Sequence, residues 1–434
     1  MSTKRAPDDD KVEGDYNDDQ VCDEAVSSGD NHSSDESYDE SSNWDINRRK
    51  YIKIGGGGAI AALLGGASGG VSAGVSTDGA TQTDSSELTV GAHYYVWYGR
   101  GSHVDWLEEA PENPSAFGAY DSRDSEVIEK HLQSCHNYGI DWLSISWWGQ
   151  GGAEDITLRD HFLEGPLGDT EFSIFYETPG ILDSYKLDGQ GGDQLVDDVE
   201  YLSETYFDHP NYRRIDGRPV IYLYISGVFE GDIEAAYQRM RDAAPDGLYI
   251  ISDLIRHGPP LDRHMAVLMA SDAVTSYTMY TPDESRHEDF VNNVTEVYDD
   301  WMVPISEHNK EFIPVVLPGY DDTELQHVER DNPPLEASPE LLRNLCQAAK
   351  PYATDGANSI FITSFNEWYE NTQIEPSERF GTDYLEVVRD VFGTSIDSTT
   401  GETTDIEFRF DRTVPEEKLT SGIEDPRELA VQCF

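Results

Sequence analysis

The chain has 434 residues, 37% hydrophobic and 11% aromatic, enough for one large core or two ordinary ones. Its formal net charge is -55, from 30 Lys and Arg against 85 Asp and Glu, so it repels nucleic-acid phosphates and anionic membranes and neither is expected as a partner. The excess is not confined to one tail: beyond residue 47 there remain 70 acidic and 27 basic side chains, a spread that suits a protein hydrated in concentrated salt and points to a halophilic source.

Residues 1–47 are rich in Asp, Ser, Asn and Glu with few aliphatics, and read as a disordered acidic leader. Arg48-Arg49, Tyr51 and Lys53 then precede an uncharged, Gly-rich run from Ile54 to Thr77. This resembles a twin-arginine export signal over 48–77, with Val71-Ser72-Ala73 as a small-residue cleavage site. An uncleaved anchor is the alternative, since the run is long enough to span a bilayer. A phosphate-binding loop is the third reading, but no strand precedes these glycines and no GxxxxGK[ST] follows. Residues 78–87 read as a linker.

From 88 to 393, short β-branched and aromatic runs alternate with amphipathic ones. Strands are expected at 88–97, 141–148, 172–177, 219–225, 248–254, 273–280, 312–317 and 359–365. Helical stretches between them include those beginning at Ser125, Asp193, Asp232, Glu288 and Pro339. Eight strands with helices between them predict a single (β/α)8 TIM barrel of the α/β class; an open doubly wound sheet is the second choice. Residues 394–434, Thr- and acid-rich, form a C-terminal extension. The four cysteines, at 22, 135, 346 and 433, have no disulfide-framework or zinc spacing, and Cys135 and Cys346 read as core. A glycosylation sequon stands at Asn293-Val294-Thr295.

In such a barrel the site forms past the C-terminal ends of the strands. There the sequence places Tyr94, Tyr95 and Trp97 after strand one, Trp147 and Trp148 after strand two, and Glu177 after strand three. Tyr277 follows strand six, Tyr320 strand seven, and Asn366, Glu367 and Glu370 strand eight. Flat rings stack on sugars while Asn, Tyr and carboxylates bond hydroxyls, so this set suits a carbohydrate cleft. Glu367 and Glu370, three apart, can face one space if the chain turns helically, and glycoside hydrolysis needs two carboxyl groups held on a rigid scaffold. The competing reading is an acidic pair on a solvated turn. No HExxH, CxxC or GxSxG motif is present, and neither a metal nor a cofactor is expected. Asp321, Asp322 and Glu324 read as a solvated acidic loop rather than a calcium site.

The stretch Ser364-Phe365-Asn366-Glu367-Trp368-Tyr369-Glu370-Asn371-Thr372-Gln373-Ile374-Glu375 closely resembles the signature of glycoside hydrolase family 99, the endo-α-1,2-mannosidases and mannanases. HYYVWYG at 93–99, GIDWLSISWW at 139–148, RPVIYLYIS at 218–226 and FIPVVLPGYDDT at 312–323 resemble other family segments in order. The resemblance implies a barrel enzyme that cleaves internal α-mannosidic linkages with retention and without metal. It implies Glu367 as the base on the sugar 2-hydroxyl, forming a 1,2-anhydro sugar, and Glu370 as general acid and then base. It also places Glu177 and Tyr277 in the sugar cleft. The family usually has His where Tyr369 stands and Gly where Asn371 stands. Two alternatives from other classes are a non-catalytic glycan-binding surface protein and a glycosyltransferase-like protein of surface polysaccharide assembly.

Overall fold

Parallel strands in chain order form a closed ring in the computed structural model, which describes residues 88–99, 114–323 and 332–393. The expected leader (1–47), signal (48–77), linker (78–87) and extension (394–434), with Cys22, Cys433 and Glu324, lie outside the described residues. The strands are β1 Thr89–Tyr94, β2 Trp142–Trp147, β3 Glu171–Tyr176, β4 Arg218–Leu223, β5 Tyr249–Asp253 and β6 Ala273–Thr275. Strand β7 comes in two pieces, Glu311–Phe312 and Val315–Val316, and β8 is Ser359–Ile362.

Each strand pairs in parallel with the next, and β8 returns to β1 with Thr89 opposite Ser359. The interrupted strand closes the ring: Phe312 lies opposite Val274 of β6, and Val316 opposite Ile362 of β8. Pro314 breaks the run because it has no N–H to give the ladder, but its carbonyl still accepts from Phe361 N at 2.9 Å. The fold is therefore the eight-stranded α/β barrel that the alternating runs predict. The expected strand at 273–280 ends at Thr275, leaving Tyr277 and Tyr280 on the loop above the sheet.

Helices fill the crossovers: α1 Ser125–Tyr138, α2 Ala153–Asp160, α3 Gln190–Leu202 and α4 Ile233–Ala243. They continue as α5 Asp262–Ala270, α6 Phe290–Glu307, α7 Pro339–Ala349 and α8 Asp383–Phe392. Local chemistry sets their ends. Asp124 caps α1 by accepting from Glu126 N, and Gly139 stops it at φ 74. Ser338 accepts from Leu341 N ahead of Pro339 at the start of α7. One face of each is apolar, as with Val127, Ile128, Leu132 and Cys135 on α1. Cys135 and Cys346 are buried free thiols.

Two layers of core follow from strand alternation. Inside the barrel, the His93 ring lies 4.9 Å from Phe175, 5.0 Å from Tyr222 and 4.8 Å from Phe361. Gly91, two residues earlier on the same face, leaves the space for this filling: a Cβ there would stand 2.8 Å from the Phe361 ring. Outside, Tyr94 packs on Phe162 and donates to or accepts from His131 Nδ1 at 2.8 Å.

Candidate active site

At the end of β2, three consecutive residues alternate between the barrel mouth and the outside. Ser146 faces the barrel mouth, donating to Glu177 Oε1 at 2.7 Å. Trp147 turns outward, its Nε1 donating to Asp155 Oδ1 at 2.8 Å and its ring lying against Tyr176 and Tyr201. Trp148 returns to the mouth, where its Nε1 donates to Ser146 Oγ at 3.0 Å and its ring meets Trp97 at 6.2 Å. Gly180 makes room for Trp148, since a Cβ there would fall 2.2 Å from the indole. The same alternation sorts β1: Tyr95 and Trp97 pack with ring centroids 4.4 Å apart on the mouth side, whereas Tyr94 is sealed against the helices.

The loop after β8 carries the acidic pair. Asn366 is fully buried, and its side chain accepts from Tyr95 N at 2.8 Å and donates to Tyr95 O at 2.8 Å. That clamp ties the β8 loop to the β1 loop and uses the amide that the sequence suggested would bond a sugar hydroxyl. Glu367 is 4% exposed; Oε1 accepts from Tyr369 N at 2.9 Å, while Oε2 has no protein partner. Glu370, half-buried, accepts from the Tyr277 hydroxyl at 2.5 Å and from the Tyr320 hydroxyl at 3.3 Å. Tyr277 in turn accepts from the Tyr95 hydroxyl at 3.0 Å, and its backbone N–H is held by Asp253 Oδ1 at 2.9 Å.

Burial and like charge govern this corner. Glu177 is 5% exposed, and its carboxyl is pushed up to about 8 by burial first, against the Ser146 bond, with Glu370, Glu154 and Asp253 adding repulsion. Glu367 is raised well above the ordinary carboxylate range by burial, then by Glu370 and Glu177. Glu177, Glu367 and Glu370 thus share one space, with Tyr95, Tyr277 and Tyr320 supplying hydroxyls and Trp97 and Trp148 supplying rings. Tyr94 and Trp147, expected in the cleft, are outside it, because neighbouring residues of a strand cannot face the same side.

Asn371 adopts φ 51, the left-handed region where Gly is favoured and Asn is the best tolerated substitute. Asn in place of the family's usual Gly is therefore a conformational equivalent, and its Nδ2 also donates to Asp321 O at 3.1 Å. Sequence reasoning passed over Ser146 and Asp253, which hold Glu177 and Tyr277. The signal for Ser146 was parity: it is one residue from the outward Trp147 and two from Trp148. The sequon Asn293 is partly buried and donates through Nδ2 to Arg286 O at 2.8 Å, so its amide is engaged within the fold. Among the described residues no group of three His, Cys, Asp or Glu side chains could hold a metal ion, and no helix is long and apolar enough to cross a membrane.

A closed (β/α)8 barrel with buried carboxylates and aromatic rings at the C-terminal mouth defines the class of barrel glycoside hydrolases. Residues 108–388 match the sequence profile of Glycosyl hydrolase family 99, and the chain belongs to that family. It is similar to the Homo sapiens glycoprotein endo-alpha-1,2-mannosidase-like protein, 26% identical over 65% of this chain and 67% of that one. It is also similar to the Mus musculus glycoprotein endo-alpha-1,2-mannosidase, 25% identical over 68% and 70%. Among solved structures, a GH99 endo-alpha-mannosidase from Bacteroides thetaiotaomicron shares the fold at TM-score 0.53 and 23% identity, covering 70% of this chain and 95% of that one.

Proposed function

We propose that this family 99 enzyme is a retaining, endo-acting hydrolase of α-mannosidic linkages, with Glu367 as the base on the sugar 2-hydroxyl and Glu370 as general acid and then base. The supporting observation is the convergence of Glu177, Glu367 and Glu370 at the barrel mouth, in a chain whose relatives are named for α-mannoside cleavage. Glu367 takes the proton of the 2-hydroxyl as that oxygen attacks the anomeric carbon, and Glu370 gives its proton to the departing oxygen. Water then loses a proton to Glu370 and opens the 1,2-anhydro ring, whose oxygen recovers the proton from Glu367. Two displacements at one carbon give net retention.

In the ligand-free cleft, burial favours a proton on Glu367, and the hydroxyl donors on Glu370 suit a charged carboxylate. The chemistry needs the opposite placement. A substrate supplies it: its 2-hydroxyl donates to Glu367, and its glycosidic oxygen accepts from Glu370, so one proton held by the pair changes side on binding. The apolar rings and the paired arginines at 48–49 support the remaining parts of the reading, a neutral glycan met outside the cell after twin-arginine export.

The test is product analysis with defined α-1,2- and α-1,3-manno-oligosaccharides in high salt. New reducing ends from internal cleavage, with α-configured product at the earliest time points, are expected; binding without cleavage would sink the reading. Glu367→Gln and Glu370→Gln should each lower kcat by roughly 10²- to 10⁴-fold while leaving the protein folded with a cooperative melting transition. A near-normal rate in either variant would remove that residue from its role.

A further inference from the structure

We infer that Glu375 is a positioning residue of this site: a buried carboxylate that fixes the Trp368 indole, and through it the turn that carries Glu367 and Glu370. The inference rests on the role proposed for those two glutamates.

Glu375 is completely buried, yet its two oxygens collect four polar groups from three parts of the chain. Oε2 accepts from Trp368 Nε1 at 3.0 Å and from the Tyr120 hydroxyl at 2.9 Å. Oε1 accepts from Ser115 Oγ at 2.6 Å and lies 3.4 Å from His131 Nε2 on α1. The backbone seats Glu375 as firmly, since its N–H donates to Phe365 O at 2.8 Å. A buried carboxylate is costly unless its oxygens are satisfied, and hydrogen bonds to such a group are about twice as strong as neutral ones. This one serves no step in the proposed chemistry, and its position explains what it does.

Trp368 is the first of the two residues between Glu367 and Glu370. Its backbone N–H is held by the Tyr98 hydroxyl at 3.2 Å, that hydroxyl donates to Asn366 O at 2.6 Å, and the Trp368 carbonyl accepts from Asn371 N at 3.3 Å. The turn is therefore gripped at its backbone from the β1 side and at the Trp368 side chain from Glu375. The segment that supplies Ser115 and Tyr120 is itself joined to the loop, with Ala116 N donating to Pro376 O at 2.8 Å and Glu378 N to Pro114 O at 3.1 Å. Without Glu375 the indole N–H would lose this acceptor, and the turn could shift by a fraction of roughly 1 Å. Displacements of that order are felt in kcat when two groups must act on adjacent bonds.

Glu375→Leu should lower kcat by roughly ten- to a hundredfold with KM within about twofold, and Glu375→Gln, which keeps an acceptor for the indole, should recover most of it. Should the Leu variant fail to fold, Tyr120→Phe deletes one donor to Glu375 while keeping its ring, Trp368→Phe deletes the indole N–H together with part of the ring system, and Trp368→Phe should show the same kcat-selective loss. A parallel fall in kcat and rise in KM, or no recovery with Gln, would reduce Glu375 to a packing residue and overturn the inference. Hydrogen exchange of the Trp368 indole N–H separates this from failure of the functional reading, because it needs no substrate. If the wild-type enzyme cleaves no α-mannoside, fast exchange in Glu375→Leu and slow exchange in the wild type still support the anchoring, whereas equal exchange refutes it.

Discussion

Glu177 sits in the cleft as an acid that its own fold keeps neutral. With its carboxyl at about 8 against an ordinary 4.5, the folded state retains across that interval a proton that the unfolded chain has lost. The stability tied to this group is therefore complete below pH 4.5 and falls as pH rises through about 8, by an amount on the order of a few kcal/mol. Glu177→Gln should raise the melting temperature clearly at pH 9 and little at pH 5; an equal gain at both would show that burial does not hold the proton there. The same residue tells how much of the site was legible. Glu177, Tyr95, Trp97, Trp148, Tyr277, Tyr320 and the Glu367–Glu370 pair are brought together as strand-end positions suggested. Tyr94 and Trp147 are not, although their own alternation with Tyr95 and Trp148 was visible in the chain. The role of Asn366 as a clamp on Tyr95 was out of reach, because the contact joins residues 271 positions apart.

All eight strand runs were readable because buried parallel strands are continuously apolar and β-branched or aromatic; α2 and α5, eight and nine residues long, were not singled out. Nothing in the pattern announced the turn that follows α3, where Ser203–Phe207 winds as a π-helix. Its cause lies across the fold at Asp155, fully buried, which accepts from the Tyr201 hydroxyl at 2.7 Å and the Tyr206 hydroxyl at 2.5 Å. Residues five apart lie roughly 140° apart around an α-helix, so a regular helix could not aim both tyrosines at one carboxylate, whereas a π-turn brings them to one side. Asp155 also accepts from Trp147 Nε1 and from Gly151 N at 2.9 Å, so it holds Trp147 outward while Ser146 and Trp148 face the cleft. Tyr206→Phe removes a donor from a buried charge and should cost about 1.5–3 kcal/mol; Tyr201→Phe, at a half-exposed position, should cost less. Chemical unfolding of the two variants checks this, and a Tyr206→Phe variant as stable as the wild type would mean that the π-turn is not held by Asp155.

Across the whole molecule, 30 cations can neutralise at most 30 of 85 carboxylates, so repulsion must outweigh attraction over the surface. The exposed pairs that do form, such as Arg239 with Asp193 at 2.6 Å and Arg343 with Asp390 at 3.1 Å, are of the kind that contributes about 0.2–1 kcal/mol each. Added salt screens both terms. It weakens the few favourable pairs and relieves the many unfavourable ones, and with an excess of 55 negative charges the second effect is larger. The screening length falls from about 10 Å at 0.1 M to about 3 Å at 1 M, so exposed charges farther apart than that hardly interact. Melting temperature should therefore climb between roughly 0.1 and 1 M KCl and then flatten, since beyond that point little repulsion is left to screen. Sorbitol at matched osmolality should not reproduce the steep part of the rise, because it lowers water activity without screening charge. A melting temperature that is flat in KCl, or equally responsive to sorbitol, would mean that the acidic surface is tolerated in ordinary salt and that the composition does not mark a halophilic source.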